Sequence, residues 1–482
     1  MPPHTTIDVA SALTGPDYAP SGPVRLHLSD GVIAGIEPLD QAPDGPARLA
    51  IPALADAHNH ARPLSTTSFG CGGKPLELWL PQLATMPAVD PYTACAASFA
   101  RSLRGGATSV MVHLTRPMGQ RPLPDEAREI ARAAADVGIS IGFAISMRDR
   151  NPLVYGKHDP ALDAMPDQAA TLARQTWLRP LPSTADQLAL VDTVAEALAD
   201  APHVDVQYGP TGVQWCSDAL LSAIAEASER TGRRVHMHLL ETEPQRQWAD
   251  EAYPEGIVAR LAEIGLLSPR LTLAHCVWAR PEELTVIAAH RARIAVNTSS
   301  NLHLYSGCAP VPAMLEAGVD VAMGLDGCAF DEDDDGLREL RLFHLLNHAP
   351  GFRDDAMTPA RALHAACRTG RAGLGLGDGG LIAEGMPADL LLLDLDLLDR
   401  DAVMAVDPRD LLFARATSAH IAEVWSGGRR VLADGTVTGV DLPALEEALR
   451  EEYRAALPGT EALRAAWPAI EAGIAAHYKG CC

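Results

Sequence analysis

Four short apolar runs in this chain each lead to a residue able to ligate a metal or carry a proton. Ile51–Ala57 closes on His58-Asn59-His60, and Val235-His-Met-His-Leu-Leu-Glu241 carries His236, His238 and Glu241. Leu271–Ala274 ends on His275, and Val321–Leu325 ends on Asp326. Residues i and i+2 of a strand share a face, so His58 and His60 can aim both imidazoles at one ion from a strand end. Imidazole nitrogen and carboxylate oxygen suit a borderline-soft divalent ion such as Zn²⁺, whose catalytic sites keep a position for water. A lone H-x-H pair says little. Two imidazoles, a third, and a carboxylate, each at the end of a strand-like run, read as one hydrolytic metal centre. The chemistry would be attack by a water whose pKa the ion lowers toward neutrality.

Something must carry these residues to one place. Strand-like runs are expected at Leu54–His58, Thr108–His113, Ser140–Ile145, Val204–Tyr208, Arg234–Leu239, Leu271–His275, Arg293–Asn297 and Asp320–Gly324. Amphipathic helices fit the intervals, as at Asp90–Arg104, Asp125–Val137, Ser217–Thr231, Pro281–His290 and Pro310–Ala317. Such alternation predicts a (β/α)8 TIM barrel over 51–375, whose C-terminal strand ends build the active site. Val24–Leu28 and Val32–Ile36 alternate around Asp30-Gly31, a hairpin signature. Strand-rich segments recur at 380–394 and 420–432, so 1–50 and 376–440 are expected to form one small composite β-sandwich. Residues 441–482 read as a helical tail.

Composition narrows the partners. Sixty-two acidic against 39 basic residues give a net charge of −23, which excludes a phosphate backbone as the natural ligand. No apolar stretch is long enough to predict a membrane span, and the first residues carry no basic or apolar leader, so a cytoplasmic enzyme with a small-molecule substrate is expected. The nine Cys form no C-x-x-C, which argues against a structural zinc or a disulfide framework.

The order H-x-H, H-x-x-E, H, D, with G-x-I-x-x-G-x-x-A-D-L-like Gly380–Leu390, resembles the amidohydrolase superfamily. Within it the pattern resembles the branch that holds triazine hydrolases, guanine deaminases and adenosylhomocysteine deaminases. The resemblance implies His58, His60, His238 and Asp326 as metal ligands, since only His238 stands three residues before Glu241. His236 is left as an outer or core residue. It implies Glu241 as the acid and base that protonates a ring nitrogen and then the leaving amine. It also implies His275 as a hydrogen-bonding or polarising group and Asp326 as acceptor of the water proton. Binuclear relatives bridge two ions with a carbamylated Lys after the fourth strand. The only lysines here are Lys74, Lys157 and Lys479, so one divalent ion, Zn or else Fe, is expected.

The implied reaction is deamination of a cyclic amidine or aminated heterocycle. Removal of chloride or an alkylamine from a triazine-like ring, hydrolysis of a cationic amine or guanidino compound, and a non-catalytic scaffold are the alternatives. A homodimer or homotetramer is expected. His113, Arg148, Thr211, Asn297 and Asp331 are the candidate substrate contacts. Thr211 stands where adenosylhomocysteine deaminases resemble G-P-H-S-P, which puts an adenosine-type substrate in doubt. Asp331 opens the acid run Asp331–Asp335, which reads either as a contact for a positive group near the cavity mouth or as a solvated loop whose acids cap the helix starting near Gly336.

Overall fold

The runs that are apolar on both faces pair with one another in parallel, because only a sheet covered on both sides buries them completely. In the computed structural model, which describes residues 5–327, 333–349, 351 and 357–479, the barrel strands are β1 (Leu54–Asn59), β2 (Ala107–Leu114), β3 (Ser140–Met147) and β4 (Val204–Pro210). They continue as β5 (Val235–Leu239), β6 (Leu271–His275), β7 (Arg293–Val296) and β8 (Asp320–Met323). They lie in chain order in one eight-stranded sheet, and every pairing is parallel. The expected TIM barrel is present.

The seam between β8 and β1 is closed by the site's own residues. Asp326 N donates to His58 O at 2.6 Å, and Leu325 N donates to the buried Asp56 carboxylate at 2.9 Å. Gly324 makes the approach possible, since a Cβ there would stand 2.4 Å from Asn297 Oδ1 and 2.8 Å from His58 N. Gly324→Ala must therefore push β1 and β7 apart. A loss on the order of 2 kcal/mol is expected, typical of overpacking, and a lower urea midpoint at unchanged slope would show it.

The β-sandwich draws on both ends of the chain. Val24–Ser29 and Val32–Pro38 form the expected hairpin, with Asp30 (φ 52°) and Gly31 (φ 80°) both left-handed as a tight primed turn requires. In the second sheet Leu390–Asp394 runs antiparallel to Arg48–Pro52. Val9, Leu26, Ile33, Ala50 and Leu390 pack between the two sheets.

Two features lie beyond the sequence reading. After β3 the chain inserts helices at Asp159–Asp163, Asp167–Trp177 and Thr184–Ala197. The last helix, α1 (Glu461–Lys479), docks Trp467, Ile470 and Ile474 onto this insertion at Leu153, Ala173 and Trp177. Of the two readings of the acid run, the helix cap is present. Asp331 lies outside the described residues. Asp335 instead caps the helix Gly336–Leu346, accepting from Arg338 N at 3.1 Å, and also accepts from Ser418 N at 2.9 Å. Asp334 is buried beside Ser102, and Asp333 pairs with Arg338. None of Asp333–Asp335 lines the catalytic cavity.

Candidate active site

The strand ends bring the ligand candidates to one point. His60 Nε2 lies 3.0 Å and His58 Nε2 3.4 Å from Asp326 Oδ1, and His238 Nε2 lies 3.4 Å from His60 Nε2. His275 Nε2 is 4.0 Å from Asp326 Oδ2. The ligand atoms of His58, His60 and His238, and those of His58, His275 and Asp326, each fall within 4.8 Å of one another. His58 Nε2 and Asp326 Oδ1 are buried without a hydrogen-bond partner, a costly state for polar atoms unless something else satisfies them. A divalent cation among these atoms satisfies both, so the residues fit the implied metal.

The outer nitrogens fix which atoms point inward. His60 Nδ1 meets His113 O at 2.7 Å, His238 Nδ1 meets Thr211 O at 2.7 Å, and His275 Nδ1 meets Asn301 Oδ1 at 2.8 Å. A carbonyl only accepts, so those Nδ1 atoms carry protons and each Nε2 keeps its lone pair for an ion. His58 Nδ1 meets His236 Nε2 at 2.7 Å, which makes His236 the outer partner of a ligand. Burial lowers the pKa of His58 to about 3 and holds His238 and His275 low as well. Burial disfavours charge on Asp326 too, but His58 and His60 outweigh it and keep this carboxyl well below the usual range. Neutral imidazoles around one carboxylate are the protonation states a cation needs.

The backbone is strained where the site is built. Ala61, Leu240, His275, Cys276 and Asp326 are non-glycine residues with φ between 48° and 74°. Such left-handed residues persist only where surrounding bonds hold them. Here Asp326 N is tied to His58 O and Cys276 N to Leu239 O. Glu241, just past the turn at Leu240, is buried with Oε2 3.8 Å from His275 Nε2 and Oε1 without a partner. Burial first, then the negative charge of Asp326 and Glu77, raises its pKa well above the usual range. Its proton is therefore held more tightly than an exposed carboxyl would hold it, which suits a group that donates.

Comparison with known proteins decides the lineage. The model of the amidohydrolase family matches residues 49–431. The chain belongs to the amidohydrolase family. It is 26% identical to a 5′-deoxyadenosine deaminase of Methanothermobacter thermautotrophicus over 458 residues, 90% of this chain and 95% of that one. Against the 5′-deoxyadenosine deaminase of Methanosarcina barkeri it is 34% identical over 193 residues. That stretch is 40% of this chain and spans less than half of the relative, 44%. A zinc-bound adenosine deaminase from Xanthomonas campestris superposes with a TM-score of 0.75 at 23% identity, over 94% of this chain and 98% of that one. A zinc complex of atrazine chlorohydrolase from Arthrobacter aurescens gives 0.73 at 21% identity, over 93% and 99%. These structural likenesses establish the shared amidohydrolase fold.

Above the ligands lies a cavity of about 240 Å³, walled by Trp79, Trp177, Trp215 and Leu80, with His60, His238, Glu241, His275 and Asp326 at its floor. Of the expected substrate contacts, Arg148 and Thr211 line it. His113 and Asn297 do not. His113 lies behind the ligands, its ring 4.8 Å from His238 and its Nε2 3.1 Å from Gly209 O. Asn297 sits beneath His275, with Nδ2 3.3 Å from its Nδ1. His113 lies within β2 rather than past its end, and neighbouring imidazoles pack against both residues.

The sequence reading missed Arg62, Arg116 and the tryptophans. Arg62 folds back through the left-handed Ala61, donates to Asp326 O, and lies with Cζ 4.7 Å over Trp79. Its place two residues past His60 was the available signal. Arg116 also lines the cavity but donates to Leu83 O and Met86 O. Trp177 comes from the insertion after β3, which no ligand motif marks.

Proposed function

We propose that the chain is a metal-dependent aminohydrolase that removes the amino group of an aminated heterocycle. The observation that carries this reading is Glu241, buried 3.8 Å from His275 beside the metal-ligand cluster at the floor of an aromatic cavity. A divalent ion held by His58, His60, His238 and Asp326 would activate water for attack on the ring carbon. Asp326 would take the proton of that water and Glu241 would protonate the adjacent ring nitrogen; proton transfer to the amino group would then let the C–N bond break and ammonia leave as the ring carbonyl forms. His275, neutral and fixed by Asn301, hydrogen-bonds at the reacting centre. The tryptophan faces exclude bulk water and hold a flat ring by stacking.

Charge in the cavity argues against the cationic amine or guanidino substrate. Among the described residues Arg62, Arg116 and Arg148 line it, and its acids are Asp326 and Glu241. The Arg148 guanidinium has no protein acceptor among the described residues, and burial disfavours its charge. A neutral ring bearing an anionic substituent matches that environment. Thr211 offers a hydroxyl engaged with Ser146 Oγ at 2.9 Å rather than an imidazole, so an adenine ribonucleoside would meet a different wall here.

We also take the ion to be one zinc per chain and the enzyme to be a cytoplasmic homo-oligomer. Among the described residues no helix is long and apolar enough to cross a membrane, and light scattering on the purified protein reads the assembly. The units 51–375, 1–50 with 376–440, and 441–482 remain our proposed division. The deciding experiment is an ammonia-release screen of the zinc-loaded enzyme over aminated purines, pterins, pyrimidines and triazines, with and without carboxylate substituents. Chloride or alkylamine release in place of ammonia would replace deamination by displacement of another leaving group. For a carboxylate-bearing substrate, Arg148→Gln should raise KM about tenfold, the scale of one lost charge-assisted bond, with kcat little changed.

A further inference from the structure

Behind Glu241, on the side away from the metal ligands, three separate parts of the chain meet in one buried polar knot. Glu241 N donates to Gln245 Oε1 at 2.9 Å, and Gln245 Nε2 donates to the Tyr155 hydroxyl at 3.3 Å. Tyr155 donates in turn to Glu77 Oε1 at 3.1 Å, and Thr242 Oγ1 donates to the same oxygen. Glu77, Tyr155, Thr242 and Gln245 are all buried. They come from the helix Leu76–Gln82 after β1, the insertion after β3, and the turn and helix after β5.

The knot is tied to the far end of the chain. Tyr155 N donates to the Tyr478 hydroxyl of α1 at 3.1 Å, and the two rings pack edge to face with centroids 5.5 Å apart. Lys74 Nζ pairs with Glu471 of α1 at 2.5 Å, and Trp467 lies 6.4 Å from the cavity-lining Trp177. The last helix therefore grips two walls of the cavity and the tyrosine that braces the catalytic acid.

Glu241 needs such a brace. It follows Leu240, whose left-handed φ of 50° is a conformation that an unsupported leucine leaves readily. Its side chain has no hydrogen-bond partner on Oε1 to fix it. What remains is the bond from its backbone to Gln245, and Tyr155 holds Gln245. We propose that Gln245 and Tyr155, anchored by Tyr478 of the C-terminal helix, are positioning residues that set where Glu241 delivers its proton. The proposal rests on the proton-donor role of Glu241 given above. A displacement near 1 Å at a reacting group costs up to about 10²-fold in rate, so loosening the brace should be seen in kcat.

The test uses the zinc-loaded, full-length enzyme and the heterocycle with the highest rate of ammonia release in the screen. Tyr155→Phe and Gln245→Met should keep their zinc, lower kcat about tenfold and leave KM within about twofold. Tyr478→Phe should act in the same direction, more weakly. In a Glu241→Gln background Tyr155→Phe should cause no further loss, because what it positions has been removed. The crystal structure of Tyr155→Phe should show the Glu241 carboxyl displaced, a readout that needs no substrate. Full additivity with Glu241→Gln, an unchanged kcat, or an unmoved Glu241 overturns the proposal. If Glu241→Gln alone keeps the wild-type rate, the proton-donor reading fails first, and the displacement of Glu241 still decides whether the brace exists.

Discussion

Glu241→Gln should bind zinc as the parent enzyme does and turn over about 10²–10⁴-fold more slowly, the usual share of a general acid and base. The amide keeps the shape of the side chain, and it can still accept from or donate to its neighbours. It cannot give up a proton and take it back. Glu241 is not among the grouped ligand atoms, so metal content measures folding of the site independently of proton transfer. The pH profile should carry the same signature. Burial and the nearby Asp326 and Glu77 raise the Glu241 pKa, so the donor form persists above the ordinary carboxylate range. The rate should fall as pH rises through that raised value. The amide variant, having no proton to lose, should lack this alkaline limb. A Gln variant with near-parental kcat and the same limb would remove Glu241 from proton transfer.

How much of this could be read before the fold was known depends on where each signal lies. The barrel was legible because its eight strands are short runs of Val, Ile, Leu, Ala and Met with nowhere to go but a sheet covered on both faces. The ligand set was legible because strand ends repeat one grammar, an apolar run closing on His or Asp. His236 shows the limit. The spacing to Glu241 chose His238 over it and left it an outer or core residue, and only the fold puts it 2.7 Å from His58 Nδ1. The cavity wall was the least legible part. Arg62 reaches the site through a backbone reversal at Ala61, and Trp177 through an insertion braced by a helix nearly 300 residues later. Such contacts leave no periodicity in the chain. The acid run was legible in part: its place before Gly336 suggested a helix cap, which Asp335 supplies, whereas the burial of Asp334 beside Ser102 leaves no mark in the chain.

His58→Ala should lose the ion and the activity together. His58 is fully buried at the centre of the cluster, shared by both groups of ligand atoms, and its Nε2 has no protein partner. Removing it deletes one of about four ligands that such an ion needs. Asp326, now short of one of the imidazoles that offset its burial, is left a costlier buried charge. Metal analysis should give about one zinc per chain for the parent and far less for the variant. Thermal unfolding with added zinc separates loss of the ligand from loss of the fold. An ion that binds only the native state stabilises by about 4 kcal/mol at a thousandfold excess over Kd, so the parent midpoint should rise on zinc addition and that of His58→Ala should not. His236→Ala gives an intermediate case. It leaves every ligand in place but frees the His58 ring, and loss of such an outer partner typically weakens metal affinity by about 10–100-fold. Its zinc titration should shift to higher concentration and still reach about one equivalent. Two zinc equivalents, both needed for turnover, would overturn the one-ion site, and a His58→Ala protein that keeps its zinc would overturn the ligand assignment.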